Sequence, residues 1–595
     1  MLTTNQKIDL LRVAMRKEGI SAYLVPSADP HQSEYVAEHW KGREWLSGFT
    51  GSAGLLVVTM NHAGLWTDSR YFLQAEAELA GSCIVLERQN IPHAPEHVQW
   101  LTQNLPAGSL IGLDGNLFSL SQLRYLSRFL ETCDIQIRAD IDLLSEIWED
   151  RPPMPATEVF ALDEKYGVTP RVKKIEQLRK EILAHKADAC LVTTLDDIAW
   201  LLNIRASDVA YNPVCISNLV VDETLVHWFV RPGNISRELQ DDLFSTGVIV
   251  ADYEDLHKFL QDFDASKHIL VDNSSINVRL YRAIPEGCAF HGENLCAKLK
   301  AVKTEAEIRQ LRHAMRKDGV ALIRLCRWLE KTLPERTVTE FEVGEKIADL
   351  RSTLGEYYGE SFGAIVGYQA NGAIVHYRPH PEQSANITQE GILLLDCGGQ
   401  YLHGTTDITR TFALGQPTEA QKTYYTAVLQ GHIALADARF PKGTKGIQLD
   451  ILARLPLWNL GKNYGHGTGH GVGYFLNVHE GPQGISATPG NSKSLTDFVP
   501  GMITSNEPGY YEEGAFGMRI ENLILCVEVP GSKGQYLCFE TITLFPFERN
   551  LINRPMLTNR ELEWINQYHQ MVFKELSPLL EIEEVHWLAE QCAAI

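Results

Sequence analysis

Four acidic residues of this chain stand where a solvated acid is out of place. Gly391-Ile-Leu-Leu-Leu-Asp396 is an apolar run that ends in a carboxylate. Such a run reads as a buried strand, and an Asp at its end is costly unless it is paired, protonated or bound to metal. Asp407 follows inside Gly404-Thr-Thr-Asp-Ile-Thr-Arg-Thr-Phe412, whose alternation of β-branched and polar residues reads as a second strand. Gly398, Gly399 and Gly404 permit a turn between them, so a hairpin would bring the two carboxylates together. Taken singly, either Asp reads equally well as a turn cap. Glu507 follows an apolar stretch in Ser505-Asn-Glu-Pro-Gly509, and Glu521 lies in Met518-Arg-Ile-Glu-Asn-Leu-Ile-Leu525, read here as one strand. Between the second and third acids comes His466-Gly-Thr-Gly-His470-Gly-Val-Gly473, with His479 shortly after.

Carboxylates gathered at one place repel one another and need a cation. An oxygen-rich set with an imidazole and no thiolate suits a hard or borderline divalent ion, Mn²⁺ ahead of Zn²⁺. Four carboxylates exceed what one ion usually needs, whereas two ions sharing bridging carboxylates and a hydroxide would use them all.

The elements that must position these groups are legible in outline. Histidines four apart fit one face of a helix, but Gly467, Gly469 and Gly471 each cost about 1 kcal/mol in a helix interior, so the segment reads as a loop. Upstream, a repeat organises the first half of the chain. Lys7-Ile-Asp-Leu-Leu-Arg12 is echoed from Lys174, and Ala22-Tyr-Leu-Val25 from Ala189, both at an offset of 167 residues. Each copy reads as an amphipathic helix, a strand and a Trp-containing segment, which predicts two successive α/β domains of similar fold. Strands follow at Gly54–Thr59 in one and Ile269–Val271 in the other. Three prolines in Arg151-Pro-Pro-Met-Pro155 mark the junction. Thr304-Glu-Ala-Glu307 is a capping box opening a long helix with Ile308, Leu311, Met315, Leu322 and Leu325 on one face. Further boxes are expected at Thr339–Glu342 and Thr558–Glu561, the latter opening a helical C-terminal segment that packs on the third domain or on a partner subunit.

Composition narrows the function classes. The chain has 595 residues, 44% hydrophobic and 22% charged, which suffices for several cores. A net charge of −21 with no long basic run argues against nucleic acid or an anionic membrane as partner. The N-terminus lacks an apolar h-region and reads as an amphipathic helix through Ile8, Leu11 and Met15 rather than a signal peptide. Eleven dispersed cysteines with no C-x-x-C pair read as reduced thiols, so the expected compartment is the cytoplasm.

With Asp396, Asp407, His470, Glu507 and Glu521 in this order, and HGTGHGVG and SNEPGYY around them, the chain resembles the dinuclear metallopeptidases of "pita-bread" fold. That family includes methionine aminopeptidase, prolidase and aminopeptidase P. The resemblance is greatest to its cytosolic-type aminopeptidase P branch and covers the whole length. It implies an α/β (α+β) architecture: creatinase-N-terminal-like domains over 1–152 and 153–300, a pita-bread catalytic domain over 301–548 and a helical extension over 549–595. It also implies a metalloaminopeptidase that releases an N-terminal residue preceding proline through attack by a metal-bridging hydroxide. Two divalent ions are expected, Mn²⁺ first and Zn²⁺ or Co²⁺ as alternatives. By resemblance, Asp396 binds one ion, His470 and Glu507 bind the other, Asp407 and Glu521 bridge them, and Glu507 handles the nucleophile's proton. His376 matches a proton-relay and substrate-contact histidine, His479 one that bonds a substrate carbonyl, and His466 one beside the proline pocket, with Phe362 as a wall. Arg519 is expected to orient a ligand or counter the negative cluster. Arg70, in Trp66-Thr-Asp-Ser-Arg70-Tyr-Phe72, matches an arginine that reaches an active site, its own or a partner subunit's, and a structural salt bridge explains it equally well. The expected partners are peptides with penultimate proline and a second copy in a homodimer, with neither nucleic acid nor membrane. Two alternatives stand beside this reading: a prolidase confined to X-Pro dipeptides, disfavoured by the extra middle domain, and a non-catalytic binding module, disfavoured by the intact ligand set.

Overall fold

The computed structural model describes residues 2–90, 96–488 and 490–595. Residues up to Glu164 with Thr169–Cys296 form one compact unit, and Lys165–Val168 with Ala297–Ile595 form the other.

The 167-residue repeat becomes two six-stranded sheets of the same order in the first unit. Ala22–Pro26 is central in one, antiparallel to Leu55–Thr59 and parallel to Leu110–Leu113. Ala63–Thr67 and Val85–Arg88 extend that sheet on one side and Gln136–Arg138 on the other. The other sheet repeats this strand for strand. Ala189–Val192 lies antiparallel to Ser217–Asp222 and parallel to Ile269–Asp272, with Val226–Val230 and Val248–Ala251 beyond the former and Ala289–Gly292 beyond the latter. The helix before each central strand, Thr4–Glu18 or Arg171–Ala184, buries a face of helical period: Ile8, Leu11 and Met15 in one, Ile175, Leu178 and Ile182 in the other.

The second unit carries the acids on three strand systems. Ile392–Cys397 pairs antiparallel with Ile408–Ala413, placing Asp396 opposite Thr409 and Asp407 at the entry to the return strand, as the hairpin reading expects. A six-stranded sheet runs Arg439–Pro441, Tyr536–Thr541, Asn522–Glu528, Ile503–Asn506, Gly469–Gly471, Glu480–Ile485. A two-stranded ribbon, Gly509–Glu512 with Phe516–Arg519, lies between its members in sequence. Helix Glu305–Thr332 opens with the complete box at Thr304 and Glu307 and buries Ile308, Leu311, Met315, Leu322 and Leu325.

Three sequence expectations are corrected. The segment read as a loop contains a short strand, Gly469–Gly471, inside the six-stranded sheet. Its glycines are required by packing, because a methyl at Gly469 would run into the Ser505 carbonyl and one at Gly471 into that of Glu480. Met518–Leu525 is not one strand. It breaks at Ile520 and Glu521 as the chain passes from the ribbon into the six-stranded sheet, which frees the Glu521 amide to bond the Thr409 carbonyl at 3.1 Å. At Thr339 only half of the box forms: the hydroxyl caps the Glu342 amide, but the Glu342 carboxylate turns to Arg336. Thr558 and Glu561 do close a box, and helix Asn559–Leu576 packs within the second unit itself. Arg316 pairs with Glu575 at 2.6 Å, and the buried Tyr568 hydroxyl accepts from Arg410 at 3.1 Å.

Candidate metal centre

The carboxylates of Asp396, Asp407 and Glu521 converge from positions on or beside strands and are 8%, 3% and 2% exposed. Two of them have a specific tie. Thr409 Oγ1 donates to Glu521 Oε2 at 2.7 Å, and the buried Arg519 guanidinium donates to Asp396 Oδ2. Glu507 enters from the end of strand Ile503–Asn506, its amide bonded to the Thr468 carbonyl at 2.8 Å. His470 reaches across from its short strand. Its Nδ1–H donates to the Gly471 carbonyl at 3.0 Å, which turns Nε2 toward Asp407 Oδ2 at 3.5 Å and Glu507 Oε1 at 3.7 Å. Asp407, His470 and Glu521 each offer a ligand atom within 4.8 Å of the others.

These groups fit divalent ions and fit little else. Burial, then the charges of Glu521, Asp396 and Glu507, push the Asp407 carboxyl well above the usual range, and Arg519 offsets only part of this. Glu521 is raised well above its ordinary value by burial and by Asp396 and Glu507. Burial and Asp396 push Glu507 up to about 7 against the opposing pull of Arg519 and His479. Asp396 Oδ1 is buried without a hydrogen-bond partner. One arginine facing three buried carboxylates and the half-buried Glu507 leaves an excess of negative charge that cations remove.

The other residues singled out from sequence fall on two sides. His479 stacks edge-on against His470, ring centroids 4.2 Å apart. His466 donates from Nδ1 to the Gly467 carbonyl at 2.7 Å, so its Nε2 accepts from the Tyr511 hydroxyl at 2.9 Å, and its Nδ1 lies 4.0 Å from Glu507 Oε2. Tyr511 in turn accepts from Arg519, which joins His466 to Asp396 through two side chains. Of the two roles expected for Arg519, the geometry displays the countercharge, since Asp396, Tyr511 and Thr409 take up its donors. His376 lies in the turn after Gln369–Ala373, a segment seated against strand Phe516–Arg519 where the Gly372 carbonyl leaves no room for a side chain on Gly517. Phe362 is buried beside Ser361, whose hydroxyl bonds the Thr406 carbonyl at 2.9 Å. Arg70 belongs to the first unit, where it pairs with Asp68 at 2.7 Å and lines a cavity of about 470 Å³ with Ser33, His97 and Tyr125.

Three supports escaped the sequence reading. Arg410 spends its guanidinium on the carbonyls of Thr409, Glu521, Phe545 and Pro546 and on Asn522 and Tyr568, lacing the Asp407 strand to the Glu521 segment. An arginine inside a β-branched strand, flanked by Thr409 and Thr411, was the available signal. Asp450 and Arg454, paired on helix Gly446–Trp458, grip the histidine segment. Arg454 donates to the Tyr464 carbonyl at 2.8 Å and the His466 carbonyl at 2.7 Å, and Asp450 accepts from Thr468 at 2.7 Å. Tyr511, read only as part of a motif, is the third.

Comparison with known proteins agrees along the whole chain. Residues 309–528 match the model of metallopeptidase family M24, and 535–595 match the C-terminal region of that peptidase. Residues 7–142 and 150–307 match two models of the creatinase/prolidase N-terminal domain. The chain is 38% identical to Xaa-Pro aminopeptidase 1 of Dictyostelium discoideum, over 99% of this chain and 96% of that one. It is 38% identical to aminopeptidase P2 of Arabidopsis thaliana, over 95% and 84%. Among solved structures, X-prolyl aminopeptidase of Caenorhabditis elegans, described as a cytosolic enzyme with a di-nuclear active site, superposes with a TM-score of 0.95 at 34% identity over 100% of both chains. The chain belongs to metallopeptidase family M24 and, within it, to the Xaa-Pro aminopeptidases that it matches from end to end.

Proposed function

We propose that this chain is a metal-dependent aminopeptidase that releases the N-terminal residue from peptides with proline in second position. The observation that carries the reading is the buried wall of Asp396, Asp407 and Glu521 faced by His470 Nε2 and Glu507, in a chain similar from end to end to Xaa-Pro aminopeptidases. Two divalent ions are held there, Mn²⁺ in preference to Zn²⁺ or Co²⁺ because oxygen donors dominate. Asp396 would serve one ion and His470 and Glu507 the other, with Asp407 and Glu521 available to both. When bound, the ions polarise the scissile carbonyl and acidify a water near neutral pH.

The protein's own groups do the rest. Glu507, whose carboxylate lies 3.7 Å from His470 Nε2 at the edge of the acidic wall, is placed to take up and return the proton of an attacking water. His479 and His376 are assigned to substrate carbonyl and proton relay. His466, fixed by Tyr511, and Phe362 wall the proline ring, with Arg519 backing Tyr511. An X-Pro bond has no N–H, so recognition falls on the carbonyl and the ring.

The domains are assigned to 1–152, 153–300, 301–548 and 549–595. A cytoplasmic homodimer is expected, with Arg70 reaching a site of its own chain or its partner. Ile451, Leu455 and Trp458, successive on one helix face and 43–48% exposed, support self-association. No helix among the described residues is long and apolar enough to cross a membrane.

The decisive experiment supplies the Mn²⁺-loaded protein with Gly-Pro-Leu, Gly-Ala-Leu and the dipeptide Gly-Pro. The expected outcome is release of glycine from Gly-Pro-Leu alone. Equal cleavage of the alanine peptide would end the specificity claim, and preference for the dipeptide would favour a prolidase.

A further inference from the structure

A second group of ligand-type side chains lies outside the carboxylate wall, in the same unit. His403 comes from the turn between strands Gly399–Tyr401 and Gly404–Thr405, Glu356 from a left-handed position ahead of strand Tyr357–Glu360, and His313 from the long helix Glu305–Thr332. One ligand atom from each lies within 4.8 Å of the other two. His403 is buried, while His313 and Glu356 are exposed, so the group opens to solvent on one side.

The tautomer of His403 follows from its neighbours. The Gln310 amide nitrogen donates to the Lys165 carbonyl at 3.1 Å, which turns Gln310 Oε1 to His403 Nδ1 at 2.6 Å. Nδ1 therefore carries the hydrogen, and in the neutral ring Nε2 presents a lone pair. Yet Nε2 faces Glu356 Oε2 at 2.8 Å. Two acceptors at that separation call for a proton or a cation between or beside them. Metal-bound imidazoles show this arrangement, with the far N–H held by an oxygen acceptor and the near nitrogen toward a carboxylate.

We propose that His313, Glu356 and His403 form an additional divalent-metal site of Zn²⁺ type, separate from the carboxylate centre. Two imidazoles, one carboxylate and an open position for water are a ligand set for borderline ions, whereas the oxygen-rich centre favours Mn²⁺. The protein would thus sort two kinds of metal between two sites. The ion ties the long helix to the turn four residues before Asp407. Leu311 of that helix already packs where Gly404 leaves no room for a side chain, so the ion stabilises a contact rather than creating one. Lys317 competes for the site, because its ammonium holds the same Glu356 oxygen that faces His403.

The test uses the full-length protein, its carboxylate centre kept loaded with excess Mn²⁺, titrated with Zn²⁺ near neutral pH. The expected result is one zinc per chain by elemental analysis and a rise in Tm, both lost in His313→Ala and in the conservative Glu356→Gln. Co²⁺ in place of Zn²⁺ should give a tetrahedral absorption band in wild type that His313→Ala lacks. Lys317→Met should bind zinc about tenfold more tightly, since a competing cation is gone. Hydrolysis with Mn²⁺ alone should stay within about twofold of wild type in all three variants, as none of these side chains touches the centre. Equal zinc content and Tm response in wild type and His313→Ala would overturn the proposal, as would unchanged affinity in Lys317→Met. Because zinc content and Tm are read without peptide substrate, failure here is distinct from failure of the proposed activity.

Discussion

Asp396, Asp407 and Glu521 sit on or beside strands paired over four to six residues, while His466 and His470 come from a segment with only three residues of strand. The acids are rigid and repel one another, so the folded chain without metal bears their cost. The imidazoles cost little to bury but must be aimed, and the aim comes from outside the sheet, through Asp450, Arg454 and Tyr511. Disturbing the acids should therefore change metal and stability together. Disturbing the supports of the histidines should change metal affinity and substrate binding while leaving the wall intact.

Asp407→Asn is the most severe way to test that division. Losing a shared ligand removes several kcal/mol of Lewis-acid stabilisation, so kcat/KM for Gly-Pro-Leu should fall roughly a thousandfold or more. The metal-free variant should nevertheless melt at a higher temperature than metal-free wild type, because one buried like charge is gone. A lower Tm would mean that Asp407 supports the fold independently of metal.

Arg454→Met acts on the other side. Cutting one partner from a buried pair costs about 3–5 kcal/mol of stability. Arg454 bonds no proposed metal ligand, so the loss in metal affinity should stay below the roughly 10- to 100-fold typical when a ligand's own outer partner is removed. The metal titration should shift accordingly with the wall unaltered. Arg454→Lys keeps the charge but cannot hold Asp450 and two carbonyls at once, so it should recover only part of the loss. Full recovery would show that charge alone, not the grip on the Tyr464 and His466 carbonyls, positions the segment.

The pH dependence of the metal-free protein reports on the acidic side. Glu507 moves from an ordinary 4.5 to about 7 on folding. A raised carboxyl contributes stability that is complete below its unfolded pKa and lost as pH rises through the folded one. Tm of metal-free protein should therefore fall between about pH 4.5 and 7, by an amount worth a few kcal/mol from this group. Divalent metal should abolish or reverse the slope. A flat profile without metal would mean that the acids relax apart when the ions leave.

The same contrast governs what could be read without a structure. The hairpin of Asp396 and Asp407 was legible because an apolar run, two glycines and a β-branched alternation are local signals, and the two N-terminal sheets were legible because a shared offset needs no geometry. Gly469–Gly471 was not, since glycines in sequence suggest a loop and only the Ser505 and Glu480 carbonyls reveal a strand with no room for side chains. The break at Ile520 and Glu521 depends on a change of sheet partner, which no periodicity records. Asp450 and Arg454 are four apart on one helix and look like a solvated surface pair. Glu342 fits a capping box, but Arg336 competes for its carboxylate. His313, Glu356 and His403 lie too far apart in the chain to be grouped before folding.

Tyr511→Phe should have the smallest effect and sharpens the comparison most finely. The hydroxyl donates to His466 Nε2 and accepts from Arg519, so it joins the histidine side to the acid side without touching a proposed metal ligand. Removing it takes away one hydrogen bond of His466 and leaves an Arg519 donor without its partner, a cost of about 1–3 kcal/mol for a buried group. Arg519 keeps Asp396 and Thr409, so the wall and its metal content should persist. The loss, about tenfold in kcat/KM on that scale, should fall mainly on KM for proline-containing tripeptides, because His466 is assigned to the ring and not to the reacting bond. If kcat falls instead with KM unchanged, Tyr511 acts through Arg519 on Asp396, and the histidine and acid sides are one mechanical unit rather than two.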